Sequence, residues 1–452
     1  MIQRSLVRGL GFWGASSLVV GTIIGTGVFL KTAPMAQLGG SALWVLLALA
    51  AAGVLSLAGA MTYAELGAMF PTAGGEYIYL RRGYGPFMGY LYAWNRFWIA
   101  TPGSIAAYAV GATTFLGAAI ELDAIGGAIP IAIAFVVTFT ALNLINVTAG
   151  GKLQTALTIL KVVLVLGLAA GALLAPRGSW ATVNERSEFP GWSAFGAMML
   201  AALWAYDGWN NLPMAAGEVR DPAKNLPRAI VGGAIVVFAI YALVNLGYFH
   251  ALPFDAVAGA SSDASSGKPS VASLTAQQFL GDTTAALLGV AMALCALSAM
   301  NGSMLTGARV PYAVARDNLA PKQLATISER ARIPAVAVIV QGVLSIAFVL
   351  TSKFDEITNA VVFASWLFYA LNAGSVLILR WREPERPRPF RVPGFPVVPI
   401  VFVLLATLLL VNTVYTELRP SLLGLGMTAL GATVYGLFLR GRARPLDAEP
   451  AE

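Results

Sequence analysis

Asp207 and Lys161 are charged residues set well inside long apolar stretches. A carboxylate at the centre of a bilayer costs about 2.5–3.5 kcal/mol on insertion scales, so it needs a cavity or a partner. Asp207 lies in Trp204-Ala205-Tyr206-Asp207-Gly208-Trp209-Asn210. There it reads as a polar wall able to face an amine, or as an acceptor for N–H groups freed by an interrupted helix. Lys161 lies roughly eight residues into its stretch, on the order of 12 Å at about 1.5 Å per residue. It reads as a fixed ammonium standing where a bound cation would stand, or as a lysine whose stem reaches part of the way to the surface. Arg96 is the third such charge and fits a structural pairing better than a substrate contact.

The run Gly21-Thr22-Ile23-Ile24-Gly25-Thr26-Gly27-Val28-Phe29 offers backbone rather than side-chain chemistry. Each glycine inside a helix costs roughly 1 kcal/mol relative to alanine, so this run is where a first membrane helix breaks. A break in hydrocarbon is tolerated only where the freed backbone lines a protein cavity. The N–H groups that open a half-helix suit a carboxylate. Gly21 and Gly25, four apart, also fit a small-residue packing face. Neither reading involves bond breaking. A single Cys (Cys295) and a single His (His250) leave no metal cluster, Cys/His nucleophile pair or disulfide framework. No metal, no cofactor and no catalytic residue is expected, and an enzyme is a distant reading.

The chain that carries these residues is 58% hydrophobic and only 11% charged over 452 residues. Soluble domains have about a quarter of their residues charged. The net charge of +7 does not point to nucleic acid, because the bases sit between apolar stretches, where they read as topology. A span needs about 20 apolar residues. Twelve candidates fall near 11–37, 41–68, 85–116, 126–147, 153–175, 191–217, 228–251, 279–308, 333–351, 356–380, 396–414 and 421–440. With a cytoplasmic N-terminus, most of the 29 Lys and Arg fall on the cytoplasmic side. Lys31, Arg177, Arg186, Lys268, Lys353 and Arg419 fall on the other, as the positive-inside rule requires. Arg4 and Arg8 before an apolar run resemble a secretory leader, but no A-x-A site follows, so the run is an uncleaved first helix. The glycosylation patterns at Asn146 and Asn301 fall at a cytoplasmic loop and inside a span and are false positives.

The loops are mostly short, which gives one compact membrane domain. The longest outer loop, near 253–276, is rich in Ser, Ala and Asp, and the segment 380–389 is a charged, Pro-rich connector. Spans one and six each carry an interruption. They occupy corresponding places in two five-span halves, 10–175 and 191–382, an arrangement that points to a transport site at the bilayer midplane. Residues 395–440 add two spans to this 10–382 core, and 1–9 and 441–452 are cytoplasmic tails. Trp204 and Trp209 flank the second interruption, too deep for interface anchors, where an aromatic ring can lid a ligand. Glu65 and Glu76 lie near cytoplasmic span ends. With Arg81, Arg82, Arg220 and Arg228 they form an inner gate of ion pairs or a solvated rim.

Four ordered motifs now carry a resemblance. Gly21–Phe29, Tyr63-Ala64-Glu65-Leu66-Gly67 with Gly74-Gly75-Glu76-Tyr77, Trp204–Asn210, and Asn301-Gly302-Ser303 resemble the amino acid–polyamine–organocation superfamily, closest to its L-type amino acid transporters. The likeness runs from about 10 to 395. It implies an all-α integral membrane fold of 12 transmembrane helices. These form two inverted five-helix repeats of the LeuT kind plus two extra helices, with helices 1 and 6 discontinuous. By the same resemblance Ile23, Gly25, Thr26 and Gly27 meet the substrate's α-carboxylate and α-amino group with backbone. Trp204 is the gating aromatic, and the carbonyls of Trp204 and Ala205 meet the amine. Asp207 stands where many L-type members have glycine and is similar to the type that accepts neutral and dibasic amino acids. Asn210 and Ser365 fall at pocket positions, Ser365 replacing an asparagine of some members. Lys161 matches the lysine that replaces sodium between helices one, five and eight.

The resemblance implies a sodium-independent L-amino acid transporter, more an exchanger than a proton-driven permease. The linking cysteine of eukaryotic members is absent near Glu121, so no disulfide-linked heavy chain is expected. A free-standing protein of the bacterial inner membrane, both termini cytoplasmic, is the expectation. Lipid and amino acid substrates are its partners, and nucleic acid is not. A proton-coupled cationic amino acid or polyamine permease, favoured by Asp207, is the alternative. A transport-dead amino acid sensor is a further one, without a signalling domain to support it.

Overall fold

The computed structural model of the chain describes residues 8–117, 119–145, 147–184, 187–261, 268–328, 333–351, 354–416 and 418–444. The first seven residues of the expected N-terminal tail, Asn146 of one glycosylation pattern, and the tail from Pro445 lie outside them. So do Arg186, Arg330, Arg332 and Lys353. Helices dominate, and among the described residues the extended pairing is one parallel bridge between Leu10 and Val219.

The first apolar stretch folds as α1 (Phe12–Ile23), α2 (Gly27–Leu30) and α3 (Thr32–Gly39), followed by α4 (Ala42–Met69), α5 (Glu76–Tyr84) and α6 (Pro86–Asn95). A π turn over Arg96–Ala100 joins α6 to α7 (Thr101–Leu116); then come α8 (Ala128–Ile145), α9 (Val147–Leu173) and the short α10 (Ala181–Asn184). The second half begins with α11 (Trp192–Tyr206) and α12 (Asn211–Met214), then α13 (Pro222–Ala251), α14 (Phe254–Gly259), α15 (Val271–Gly307) and α16 (Arg309–Arg316). It closes with α17 (Ala335–Thr351), α18 (Phe354–Arg382), α19 (Val397–Thr416) and α20 (Leu418–Val434). The chain bends within α15 at Gly281.

Among the described residues ten helical stretches are long and apolar enough to cross a membrane, and the apolar helices Trp192–Tyr206 and Ala335–Leu350 are shorter. All twelve apolar stretches picked from the sequence are thus helical. The sixth is short because its helix stops at Tyr206. Large apolar side chains point outward along α19 and α20, among them Leu404, Leu408, Leu422 and Leu423, a surface that suits lipid rather than water. The interrupted helices lie inside. α1 packs on α9, α13 and α15, and α11 packs on α3, α4 and α19. Asn301 of the second glycosylation pattern is buried in α15 and bonded to Asn143 and Gln154.

Candidate functional site: two facing helix breaks

α1 stops at Ile23, Ile24 turns extended (φ −72°, ψ 93°), and helix resumes at Gly27. α11 stops at Tyr206, Asp207 turns extended (φ −70°, ψ 147°), and helix resumes at Asn211. The breaks face each other. Gly208 accepts a hydrogen bond from Thr22 Oγ1 at 3.0 Å, and Trp204 Nε1 donates to Thr26 Oγ1 at 3.2 Å. Two glycines make this approach feasible. Gly208 has φ +125°, a region side chains disfavour, and a Cβ there would lie 2.8 Å from the Thr22 carbonyl carbon. Gly27 lies directly on the backbone of Ala205, so a Cβ there would sit 2.7 Å from the Ala205 Cβ and closer still to its Cα.

Each break leaves helix-end groups without the usual partners. In the first break the carbonyls of Gly21, Ile23 and Ile24 are occupied, while that of Gly25 receives no donor among the described residues. Lys161 Nζ donates to Gly21 (2.8 Å) and Ile24 (2.9 Å), and Tyr241 donates to Ile23 (3.0 Å). Just beyond the break, the Tyr248 hydroxyl caps Val28 at 3.2 Å. The donors are different. Among the described residues no acceptor takes the N–H of Gly25, Thr26, Gly27 or Val28. In the second break open groups of both kinds occur: among the described residues the N–H groups of Trp209 and Asn210 find no acceptor, and carbonyls stand open before them. Trp204's carbonyl takes the Asp207 N–H at 3.3 Å, while those of Ala205 and Tyr206 receive no donor among the described residues. A buried polar group left unpaired costs about 1–3 kcal/mol, so the arrangement favours a ligand with an anionic acceptor at one end and a cationic donor at the other. Bare α-carboxylate and α-ammonium groups have that chemistry.

Side chains complete the surroundings. Asp207 accepts from the Tyr369 hydroxyl at 2.7 Å. Ser365 is one turn before Tyr369 on α18, hence on the same helix face. Its hydroxyl and the amide of Asn210 are buried without a partner among the described residues. The Trp204 ring is stacked obliquely on Tyr108, centroids 5.5 Å apart. Lys161 also donates to the Cys295 carbonyl at 3.2 Å, so one ammonium ties α9 to α1 and α15. Ile23, Gly25, Thr26, Gly27, Trp204, Ala205 and Asp207 therefore converge, with Lys161 behind them.

The charge pairs expected at the inner end are drawn differently. Glu65 binds Arg380 through two hydrogen bonds of 2.7 and 2.8 Å, with Arg388 at 3.6 Å, rather than Arg81, Arg82, Arg220 or Arg228. Arg220 is not in an ion pair with Glu65. Its Nε donates to the Arg8 carbonyl at 3.3 Å, next to the Leu10–Val219 bridge. Glu76 is buried and accepts from Tyr63 and Tyr92, and Arg81 pairs with Asp317 at 2.6 Å. Buried Glu218 and Arg309, 2.9 Å apart, join the chain after α12 to the start of α16. Arg96, without an assigned partner from sequence, donates to Asn211 Oδ1 at 2.7 Å. Sequence reasoning missed Lys31, which is buried and bonds Asp355 and Thr358, both at 2.6 Å. It missed the tyrosine caps too. The signal available for those was polar-tipped Tyr241 and Tyr248 seven apart, on one face of an apolar helix.

Known proteins are similar to this chain over most of its length. Residues 10–437 match the family described as "Amino acid permease". The serine/threonine exchanger SteT of Bacillus subtilis is 31% identical over 442 residues, covering 96% of this chain and 97% of that protein. The b(0,+)-type amino acid transporter 1 of Homo sapiens is 30% identical over 421 residues, covering 91% and 84%. The human cystine/glutamate transporter is 29% identical over 449 residues, covering 98% and 86%.

Proposed function

The chain belongs to the amino acid permease family of the amino acid–polyamine–organocation superfamily, is an amino acid transporter and not an enzyme, and from that premise we propose that it is a sodium-independent exchanger of L-amino acids. The observation that carries this reading is that the facing breaks together present open donors at Gly25–Val28 and open acceptors at Ala205 and Tyr206. The α-carboxylate binds the N–H groups that open α2. The α-ammonium binds the carbonyls that end α11. Trp204 closes over the ligand, and Asn210 and Ser365 face its side chain. Lys161 places an ammonium among carbonyls of α1 and α15, the place a sodium ion would fill.

The twelve apolar helices cross the membrane twelve times as two inverted repeats, 10–175 and 191–382, plus the pair within 395–440, both termini cytoplasmic, in a bacterial inner membrane. Alternating access opens the breaks to one side and then the other. The Lys31–Asp355 pair closes the outer end, and Glu218–Arg309, Glu65–Arg380 and Arg220 with the Leu10–Val219 bridge close the inner end. A substrate shifts that balance only through contacts that differ between the states, and those concentrate at the breaks. The name of the bacterial relative, serine/threonine exchanger, supports exchange and small hydroxylated substrates, and Asp207 supports acceptance of cationic side chains as well. Cys295, the only cysteine, is buried in α15, which supports action without a disulfide-linked heavy chain.

Counterflow in proteoliposomes tests the proposal. Labelled serine should enter only when amino acid is loaded inside, equally in sodium and in potassium. Asp207→Asn should lower arginine uptake relative to serine by roughly tenfold, the effect of one charge-assisted contact of about 1.4 kcal/mol. Uptake driven by a proton gradient into amino acid-free vesicles would replace exchange with the proton-coupled cationic amino acid or polyamine permease. Saturable binding without flux would mark a sensor.

A further inference from the structure

A groove of about 840 Å³ opens away from the transport site, between α6, the π turn, α16, α17 and the end of the last helix. Its volume falls within the roughly 300–1,000 Å³ of small-molecule sites. One wall is aromatic. Trp94, Phe97 and Trp98 line it, with Trp94 and Trp98 centroids 5.5 Å apart and Phe97 and Trp98 5.4 Å apart. The Trp94 indole N–H is already bonded to the Met427 carbonyl at 2.9 Å, which fixes that wall. The facing wall carries Val340 of α17 and Val314 of α16.

Among the described residues the rim's exposed charges are all positive. Arg442 lines the groove and is exposed, and among the described residues its guanidinium has no hydrogen-bond or ion-pair partner. Lys322 and Arg440, exposed beside the rim residues Pro321 and Leu439, add positive charge. The nearby carboxylate, Asp317, is bound by Arg81. An apolar slot on a membrane-embedded surface, with a guanidinium at its mouth that no described residue pairs, matches a molecule that is long and apolar with an anionic head. Free phosphate would leave the aromatic wall empty, and a neutral apolar ligand would leave Arg442 unused.

We propose that the groove is a binding site for one anionic phospholipid, its acyl chain along Trp94, Phe97 and Trp98 and its phosphate on Arg442. The π turn gives this site a line to the transport machinery. Phe97 and Trp98 of that turn line the groove, while Arg96 of the same turn holds Asn211, the first residue of α12. π turns often sit at functional sites.

Native mass spectrometry of the full chain, equilibrated with phosphatidylglycerol or with phosphatidylcholine, reads the occupancy. Wild type should retain one phosphatidylglycerol in preference to phosphatidylcholine. Arg442→Gln, at an exposed position that folding does not depend on, should weaken phosphatidylglycerol retention roughly tenfold, the equivalent of about 1.4 kcal/mol, and weaken phosphatidylcholine, whose choline offsets its phosphate charge, by less. Val340→Trp should fill the slot and abolish retention of both while exchange still demonstrates a folded protein. Equal retention of the two lipids by wild type would overturn the proposal. So would an Arg442→Gln protein that retains phosphatidylglycerol as wild type does, or a dimer mass in place of bound lipid.

Discussion

Gly27→Val is expected to abolish amino acid exchange in proteoliposomes while leaving a folded protein in the membrane. The valine Cβ would overlap the backbone of Ala205 and lie 2.7 Å from its Cβ. Neither neighbour is a flexible side-chain end, so the two breaks must separate. Separation breaks the Trp204–Thr26 contact of 3.2 Å and moves the α2 donors away from the α11 acceptors. A ligand held at both ends loses both ends together. A misplacement near 1 Å costs about 100-fold in comparable positioned sites, and loss to background is expected here. Folding survives because the surrounding helices bury their apolar faces independently of this contact. Counterflow of labelled serine, alongside thermal unfolding, separates the outcomes. Normal exchange by the mutant would remove the breaks from the transport path.

The second large effect concerns the buried ammonium. Lys161→Ala should reduce exchange at least about tenfold with little change in the amount of protein in the membrane. The carbonyls of Gly21, Ile24 and Cys295 lose their common donor, and each unpaired group costs about 1–3 kcal/mol. Removing the lysine also removes the cost of burying its charge, so the net loss of stability is smaller than that sum. The geometry of the break suffers more, because α1, α9 and α15 are no longer tied at one point. Exchange and surface abundance measured on the same vesicles give the answer. Unimpaired exchange would return Lys161 to the role of a lysine that reaches for the surface.

The interruptions were legible from sequence because they are local. Three glycines within seven residues at Gly21, Gly25 and Gly27 oppose helix by propensity alone, and Asp207-Gly208 before Pro213 does the same in the second half. The depth of Lys161 could be counted. Its partners could not, since the carbonyls it binds lie more than a hundred residues away and leave no periodic trace. The same holds for the ion pairs. A shared cytoplasmic side suggested that Glu65 and Glu76 form a gate with Arg81, Arg82, Arg220 and Arg228, or a solvated rim. In the fold Glu65 finds Arg380 from the other half, and Glu76 takes two tyrosine hydroxyls. Charges gather where helix ends meet, and which ends meet is a tertiary property.

Competition in counterflow by L-serine, L-serine amide and N-acetyl-L-serine tests the central claim most directly. The amide removes the anion that the Gly25–Val28 donors require, and acetylation removes the ammonium that the Ala205 and Tyr206 carbonyls require. The account expects L-serine to compete with labelled serine and both derivatives to fail, although all three carry the same side chain. Competition by either derivative equal to that of L-serine would contradict it.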